Sequence, residues 1–263
     1  MSRKEKKGGS KLAVLGLALF LFLSMKKEEK PVLYVIGDST VQNSDGNGKN
    51  EYWGWGTLLK AYLDTNRIDV ENHAKAGTST RTFILDGRWE KILAKLKTGD
   101  FVVIQFGHND HSGVDDPKDQ RGTLLGAGDS TRVIISRRTN REEIVHTYGW
   151  YLQKFITEAK SRGAIPIACS LVPRNKWKNG EVVKEAEYPE WTEETAGRNN
   201  AYYINLNRIV ANRWKVLGTA EVRTFFPIDG THTNLNGAQL NAEAFVEGLK
   251  GLRKCPLNLY LKK

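Results

Sequence analysis

The chain of 263 residues has few of the features that mark specialised scaffolds. Its two cysteines, Cys169 and Cys255, are too few for a disulfide framework and lack the spacing of a zinc site. Whether they pair with each other stays open, because Cys169 in its apolar run also suits a packed core thiol. No Lys/Arg-rich helix, zinc-finger spacing or aromatic RNA-binding motif is present, so we expect no nucleic-acid partner.

A long apolar run occurs near the N-terminus, where Leu12–Leu23 follows a basic segment and precedes further lysines. This order is typical of an export signal. The run is shorter than the about 20 residues of a bilayer span, and no small-x-small cleavage site follows it. We expect residues 1–30 to be a signal or anchor and the protein to be secreted, periplasmic or at the cell surface. Membrane contact would then run through this segment alone; a buried helix of the fold is the alternative.

The net charge of +10 is partly a property of that N-terminal segment. Residues 1–24 hold five basic side chains and one acidic one, a net +4, which leaves +6 for the rest of the chain. Such an excess favours an anionic ligand, although ordinary solubilising charge explains it equally well.

The rest of the chain reads as one domain, residues 31–263, with no internal repeat and no second core. Apolar, β-branched runs alternate with helical patterns, which predicts a parallel sheet covered on both faces. The predicted strands are Val32–Ile36, Ile68–Asn72, Phe101–Phe106, Ala164–Ser170 and Tyr202–Leu206. The predicted helices are Trp55–Leu63, Trp89–Leu96, Glu142–Lys160, Asn207–Leu217 and Asn234–Leu252. Segments Ser112–Asn140 and Arg174–Trp191 have the composition of long loops, which often carry recognition.

Ser39 follows the first predicted strand within Gly37-Asp38-Ser39-Thr40. Open α/β sheets place their ligand crevice at the carboxyl ends of their strands, which favours a nucleophilic serine. Taken singly, the motif suits a turn or cap serine better. A phosphate-binding loop is a third interpretation, but the Walker spacing of Gly and Lys is absent.

Asp229 and His232 lie three residues apart near the C-terminus. This spacing lets the carboxylate reach the imidazole within one loop and support it as a general base, although, taken singly, the pair is explained better by a surface turn that contains a histidine. Gly77 and Asn109 follow the second and third predicted strands. Their backbone N–H and side-chain amide are the donors that acyl transfer uses to stabilise an oxyanion.

In this order, Ser39, Gly77, Asn109 and His232 resemble the four named residues of the SGNH, or GDSL-like, hydrolase superfamily. NHAKAGTSTRTF at 72–83, IQFGHND at 104–110, VHTYGWYL at 145–152 and DGTHTN at 229–234 are similar to the rhamnogalacturonan acetylesterase group of carbohydrate esterase family 12. The resemblance covers about residues 32–250. It implies a flavodoxin-like three-layer α/β/α fold with a central parallel sheet of about five strands. It further implies a triad of Ser39, Asp229 and His232, with an oxyanion hole formed by Ser39, Gly77 and Asn109.

His108, Asp110 and His111 could be taken for a metal cluster, but their spacing matches no metal motif. The resembled family uses neither metal nor other cofactor, so we expect none, and we expect His108 to support the site from behind. The candidate substrate contacts are residues that can pair with a uronate carboxylate or stack on a sugar ring. They are Arg81, Arg88, Arg174, Trp177 and Trp191, and surface packing is the alternative for each.

The sequence thus predicts a secreted, monomeric carbohydrate O-acetylesterase that acts on acetylated, acidic, rhamnogalacturonan-type pectic polysaccharide or oligosaccharide through an acetyl-enzyme. An esterase for another acetylated polymer or a small ester is the alternative in the same chemistry. A catalytically silent carbohydrate-binding protein on this fold is the alternative from another class, and it is disfavoured because no triad position is substituted.

Overall fold

The computed structural model describes residues 29–42, 51–183 and 187–262. Residues 1–28 of the expected export segment therefore lie outside the described residues. Across the part of the chain that is described, no helix has both the length and the apolar character needed to cross a bilayer.

The strands belong to one sheet and two separate hairpins. They are β1 Val32–Gly37, β2 Asp69–Asn72, β3 Phe101–Gln105, β4 Thr131–Ser136, β5 Arg141–His146, β6 Ile165–Cys169, β7 Trp177–Lys178, β8 Glu181–Val182 and β9 Tyr202–Ile204. The helices are α1 Thr80–Leu85, α2 Arg88–Leu93, α3 Tyr148–Ser161, α4 Tyr188–Arg198, α5 Leu206–Thr224 and α6 Leu235–Gly251. Short 3₁₀ helices cover Gly56–Ala61 and Pro256–Tyr260.

The central sheet has five strands in the order β2-β1-β3-β6-β9, and every pairing is parallel. All five strands lie within a residue or two of the predicted ones. Because a parallel pair needs a crossover between its strands, helices cover both faces of the sheet. The predicted three-layer α/β/α fold is confirmed.

Strand β3 shows how the three layers are held together, because all five of its side chains are buried. Phe101 and Val103 join the core under α5 and α6, whereas Val102 and Ile104 join the core under α1 to α4. This is the near-continuous apolar run expected of a strand buried on both faces. Complete burial of each such side chain stabilises the fold by about 1.5–3 kcal/mol.

The predicted helix Glu142–Lys160 is wrong over its first third. Residues Arg141–His146 instead pair antiparallel with Thr131–Ser136. The helix starts after Thr147, whose side chain accepts a hydrogen bond from the Trp150 N–H and caps it. Ile144 of β5 lies at helical spacing from Tyr148 and Leu152 of α3. The apolar spacing alone therefore predicts a helix start that is several residues too early.

Both predicted loops contain regular structure. Strand β4 lies within Ser112–Asn140, and the small β7–β8 hairpin and the start of α4 lie within Arg174–Trp191. Helix α1 was also not predicted, although Ser79 and Thr82 cap it reciprocally. The predicted helix Trp55–Leu63 is a 3₁₀ helix, and α5 runs past the predicted end with a break at Gly218.

Candidate active site

The carboxyl ends of three adjacent strands bring together Ser39, Gly77 and Asn109. Strand β1 lies between β2 and β3, with Val35 opposite Asn72 and Gly37 opposite Gln105. The connections that leave these strands therefore start at the same edge of the sheet.

The turn that carries Ser39 is packed tightly against β3. A Cβ atom at Gly37 would lie 2.5 Å from the carbonyl oxygen of Gln105 and from Val41 Cγ2, so only glycine fits. The N–H groups of Val41 and Gln42 both donate to the carbonyl of Asp38 and close the turn. Ser39 is thereby fixed at the end of the sheet.

A buried polar network supports this turn. Trp55 Nε1 donates to Gln105 Oε1 at 2.9 Å, and Gln105 Nε2 donates to Thr40 Oγ1 at 3.0 Å. Thr40 then donates its hydroxyl and its N–H to Asp38 Oδ1, at 2.8 and 2.9 Å. These side chains are at most 4 % exposed. These four hydrogen bonds between buried residues restrict the movement of the residues they join.

Ser39, His232 and Asp229 form a continuous hydrogen-bonded chain. Ser39 Oγ lies 2.8 Å from His232 Nε2, and His232 Nδ1 lies 2.7 Å from Asp229 Oδ2. An ionised carboxylate only accepts hydrogen bonds, so Nδ1 carries the ring proton. The Nε2 lone pair is then free to accept the serine hydroxyl proton.

Asp229 stays ionised in this arrangement. Its Oδ1 accepts hydrogen bonds from the N–H groups of Thr231 and His232, both at 2.7 Å. Burial opposes ionisation, but these donors and the His232 ring outweigh it and lower the pKa of Asp229. A carboxylate held in this way orients the imidazole and supports its protonated form.

The loop with Asp229 and His232 is attached to two neighbouring segments. Trp53 N–H donates to the carbonyl of Thr233 at 2.8 Å, and the Thr233 hydroxyl donates to the carbonyl of Trp53 at 2.9 Å. The Tyr52 ring lies 4.9 Å from the His232 ring. On the other side, Asn175 N–H donates to the carbonyl of Gly230 at 2.8 Å.

Gly77 and Asn109 follow strands β2 and β3, and their role as oxyanion donors stays a prediction. Gly77 has φ of 81°, a backbone conformation that side chains rarely adopt. Asn109 Nδ2 donates one hydrogen to the carbonyl of Thr78 at 2.9 Å, which orients the amide and leaves its second N–H available. Among the described residues, neither the Ser39 N–H nor the Gly77 N–H donates to another protein group.

Two buried carboxyl groups lie behind the serine. His108 Nδ1 is 3.4 Å from Asp38 Oδ2, close enough for an ion pair but without hydrogen-bond geometry. Burial opposes ionisation of Asp38, but His108 and the Thr40 donors together lower its pKa. For Asp110, burial and the charge of Asp38 outweigh the donors of Thr80 and raise the pKa to about 7. His108 thus contacts the Ser39 turn through the carboxylate of Asp38.

Within the described residues, no group of three or more His, Cys, Asp and Glu side chains is arranged to hold a metal ion. Cys169 and Cys255 are both buried free thiols.

The structure contradicts the prediction that Arg81 contacts substrate. Its side chain is 1 % exposed and pairs with Glu143 Oε1 at 2.7 Å. Its Nη1 donates to the carbonyls of Gln120 and Gly122. Arg81 therefore ties α1 to the segment before β4 and is inaccessible to a polymer. The sequence pattern of an amphipathic helix start does not distinguish a buried, paired arginine from an exposed one.

Of the other predicted contacts, Arg88, Arg174 and Trp177 lie beside segments of the site, whereas Trp191 does not. Arg88 lines a cavity next to Gly77. Arg174 donates to the His108 carbonyl at 3.0 Å, and Trp177 Nε1 donates to Asn175 Oδ1, beside the Asp229 loop. Trp191 packs on Tyr188 with ring centroids 5.0 Å apart. No described contact joins Trp191 to Ser39, Asn109 or His232.

Sequence reasoning missed several residues at the site. Gln105 interrupts an otherwise apolar strand, and such a buried polar residue is itself a signal of a network. Tyr52 and Trp53 contact the His232 loop, and Arg121 and Arg138 reach the site from a segment predicted as a loop. No local sequence pattern marks Tyr52, Trp53, Arg121 or Arg138, because contacts between distant segments alone bring them to the site.

Comparison with known proteins identifies the class. Residues 35–240 match the GDSL-like Lipase/Acylhydrolase family. The chain is 29 % identical over 218 residues to a rhamnogalacturonan acetylesterase of Emericella nidulans, covering 82 % of this chain and 84 % of that protein. It is 31 % identical over 228 residues to YesY, a probable rhamnogalacturonan acetylesterase of Bacillus subtilis, covering 84 % and 93 %.

Solved structures share the fold. Protein YxiM of Bacillus subtilis superposes with a TM-score of 0.69 at 25 % identity, covering 86 % of this chain and 58 % of that one. Axe2, an acetylxylan esterase of Geobacillus stearothermophilus, superposes with a TM-score of 0.57 at 18 % identity, covering 83 % and 94 %. The latter likeness concerns the fold alone.

By its fold the chain is one of the three-layer α/β/α hydrolases with an open parallel sheet. Within that class the chain belongs to the GDSL-like lipase/acylhydrolase family, and it is a carboxylic ester hydrolase. The resemblance to the rhamnogalacturonan acetylesterase group is confirmed.

Proposed function

We propose that the protein is a carbohydrate O-acetylesterase that removes acetyl groups from rhamnogalacturonan-type pectic polysaccharide. The observation that carries the chemistry is the chain from Ser39 Oγ through His232 to Asp229, with distances of 2.8 and 2.7 Å. The names of the curated relatives support the polysaccharide substrate.

The first half-reaction forms an acetyl-enzyme. Ser39 Oγ attacks the acetyl carbonyl carbon while His232 Nε2 takes the hydroxyl proton. The N–H groups of Ser39 and Gly77 and the free N–H of Asn109 stabilise the negative charge on the carbonyl oxygen. His232 then passes its proton to the sugar oxygen, which leaves as an alcohol.

The second half-reaction repeats these steps with water. His232 takes a proton from water, and the resulting hydroxide attacks the acetyl group on Ser39. The same donors stabilise the second tetrahedral intermediate. Its collapse breaks the bond between Ser39 Oγ and the acyl carbon, His232 returns its proton to Ser39 Oγ, and acetic acid leaves and ionises to acetate. Asp229 stays ionised throughout, so it holds the imidazole in one tautomer.

Aromatic side chains near the base support a carbohydrate substrate. The Tyr52 ring lies against the His232 ring, and the backbone carbonyl of Trp53 accepts a hydrogen bond from Thr233. The Trp177 indole donates a hydrogen bond to Asn175 beside the same loop. All three are half-buried, so each can offer apolar surface with a polar edge to a sugar ring.

Acetate release from a panel of substrates tests the proposal. We expect acetylated rhamnogalacturonan to be hydrolysed faster than acetylated xylan or a small aryl acetate, and the Ser39→Ala protein to be inactive on all of them. Faster hydrolysis of xylan or of small esters would contradict the pectic assignment. Retained turnover by folded Ser39→Ala protein would contradict the mechanism.

Export is a separate proposal. Residues 1–30 would direct or anchor the protein outside the cytoplasm, ahead of a hydrolase domain at 31–263. A chain that starts at Lys30 should then fold and hydrolyse esters as well as the full chain. Loss of soluble protein on this truncation would show that the segment belongs to the fold.

A further inference from the structure

A cationic cavity opens directly beside Gly77. It has a volume of about 240 Å³, and its wall includes the Gly77 backbone. Its charged lining residues are Lys75, Arg88, Arg121, Arg138, Asp86 and Asp119. Four cations against two carboxylates give the cavity a positive excess.

The four cations come from separate parts of the fold. Lys75 follows β2, Arg88 begins α2, Arg121 lies before β4, and Arg138 lies in the turn between β4 and β5. Packing therefore concentrates positive charge here, next to an expected oxyanion donor. Such concentration of one charge sign in a concave site favours an anionic ligand.

The two carboxylates leave much of this positive charge available. Asp119 Oδ2 forms an ion pair with Arg121 Nε at 2.8 Å, and Asp86 Oδ1 accepts a hydrogen bond from Arg138 Nη1 at 2.6 Å. Arg88 Nε is 3.8 Å from Asp86, too far for a hydrogen bond. A guanidinium has five N–H donors, so each arginine retains donors for a ligand. The side chains of Arg88, Arg121 and Arg138 are 39, 31 and 44 % exposed and can be reached.

Arg121 connects the cavity to the oxyanion side of the site. Its Nη1 donates to the Gly77 carbonyl at 3.3 Å, and a Cβ atom at Gly77 would lie 3.7 Å from the same nitrogen. A group bound in the cavity thus lies next to Gly77, the residue whose N–H is expected to stabilise the oxyanion.

We propose that this cavity binds the carboxylate of an acidic sugar unit adjacent to the acetylated one. The inference rests on the proposed function and assigns a site to the acidic part of its substrate. Guanidinium groups bind carboxylates through paired, charge-assisted hydrogen bonds. At about 240 Å³ the cavity is smaller than the about 300–1,000 Å³ pockets of drug-sized ligands, which suits a single sugar unit.

The test compares two substrates that differ in whether their carboxyl groups are charged. One is an acetylated galacturonate-containing oligosaccharide, and the other is the same oligosaccharide with its carboxyl groups methylated. We expect the wild-type protein to prefer the charged substrate in kcat/KM. In the double variant Arg88→Gln/Arg138→Gln, the ratio of the two kcat/KM values should fall about tenfold or more.

A matched control is Arg162→Gln, since Arg162 is exposed at the end of α3, outside the cavity. This variant should keep the wild-type ratio. Lys75→Gln provides a second test at an exposed position, in case the double variant fails to fold. It should lower the ratio in the same direction by a smaller factor.

A binding measurement with an unreactive ligand tests the cavity independently of ester hydrolysis. Unacetylated oligogalacturonate should bind folded Ser39→Ala protein in calorimetry, more weakly after Lys75→Gln or Arg88→Gln/Arg138→Gln, and more weakly with salt. Unchanged ratios and unchanged binding in these variants would overturn the cavity assignment and leave the acetylesterase proposal intact. Failure of the wild type to release acetate from any acetylated carbohydrate would overturn the proposed function itself.

Discussion

The two halves of the catalytic site are held in different ways. The serine half rests on the sheet: Asp38, Gln105 and Trp55 are fully buried and connected by hydrogen bonds around the Ser39 turn. The base half lies at the surface, where the side chains of Asp229 and His232 are 41 and 29 % exposed.

This difference indicates separate requirements for the two halves. The nucleophile and the expected oxyanion donors must be positioned before charge develops, which a rigid sheet edge achieves. The base must take a proton and return it in each half-reaction, and an accessible loop lets water reach it. Substitutions of supporting residues in the serine half should therefore lower stability more than substitutions of supporting residues in the base half.

The largest expected effect joins the two halves. Ser39→Ala and His232→Ala should each lower kcat on an aryl acetate by roughly 10⁴- to 10⁶-fold, because nucleophile and base act as one unit. The double variant should be no worse than either single one. Initial rates with folded proteins measure this, and a multiplicative loss in the double variant would show that the two residues act separately.

Asn109→Ala should have the next largest effect. Loss of one oxyanion donor typically lowers kcat by about 10² to 10³. Because Asn109 acts where charge develops, KM should change little. Steady-state kinetics separate the two parameters, and a change confined to KM would mean that Asn109 binds the sugar instead.

Stability should distinguish the halves directly. Gln105→Leu leaves the buried Trp55 N–H without its acceptor and should cost about 1–3 kcal/mol. Thr233→Val removes one hydrogen bond to the Trp53 carbonyl and should cost about 0.5–1.5 kcal/mol. Chemical denaturation of both variants gives the comparison. Equal losses would mean that the base loop is as firmly held as the serine turn.

The smallest expected effect concerns pH. The folded-state pKa of Asp110 is raised to about 7, above an unfolded value of about 3.9. The unfolded chain loses this proton at a lower pH than the folded protein does. Asp110 therefore lowers the free energy of unfolding progressively as pH rises from about 4 to 7. Asp110→Asn keeps the oxygen that accepts from Thr80 and should flatten this dependence. Melting temperatures at pH 5 and 8 test it; identical pH profiles for both proteins would be inconsistent with a raised pKa.

The sheet and the expected catalytic residues could be predicted because each depends on local pattern. Five buried strands show as apolar runs, and Ser39, Gly77 and Asn109 each follow one of them. Once parallel pairing is inferred, the positions of these residues at one sheet edge follow from geometry.

The surroundings of the site could not be predicted in the same way. Arg81 and Arg88 lie on consecutive short helices, yet Arg81 is buried against Glu143 while Arg88 lines an open cavity. Composition does not separate the two, because the outcome depends on the distant β4–β5 hairpin. That hairpin was itself missed, since the Glu142–Lys160 segment also fits the spacing of a helix.

Identification of the covalent intermediate tests the central claim most directly. The protein is mixed with an aryl acetate, quenched in acid within the first turnover, digested, and analysed by peptide mass spectrometry. The account predicts an acetyl group on Ser39 that disappears as substrate is exhausted and is absent from the Ser39→Ala protein. Rapid acetate release with no acetylation of Ser39, or with acetylation at another side chain on the catalytic timescale, would contradict it.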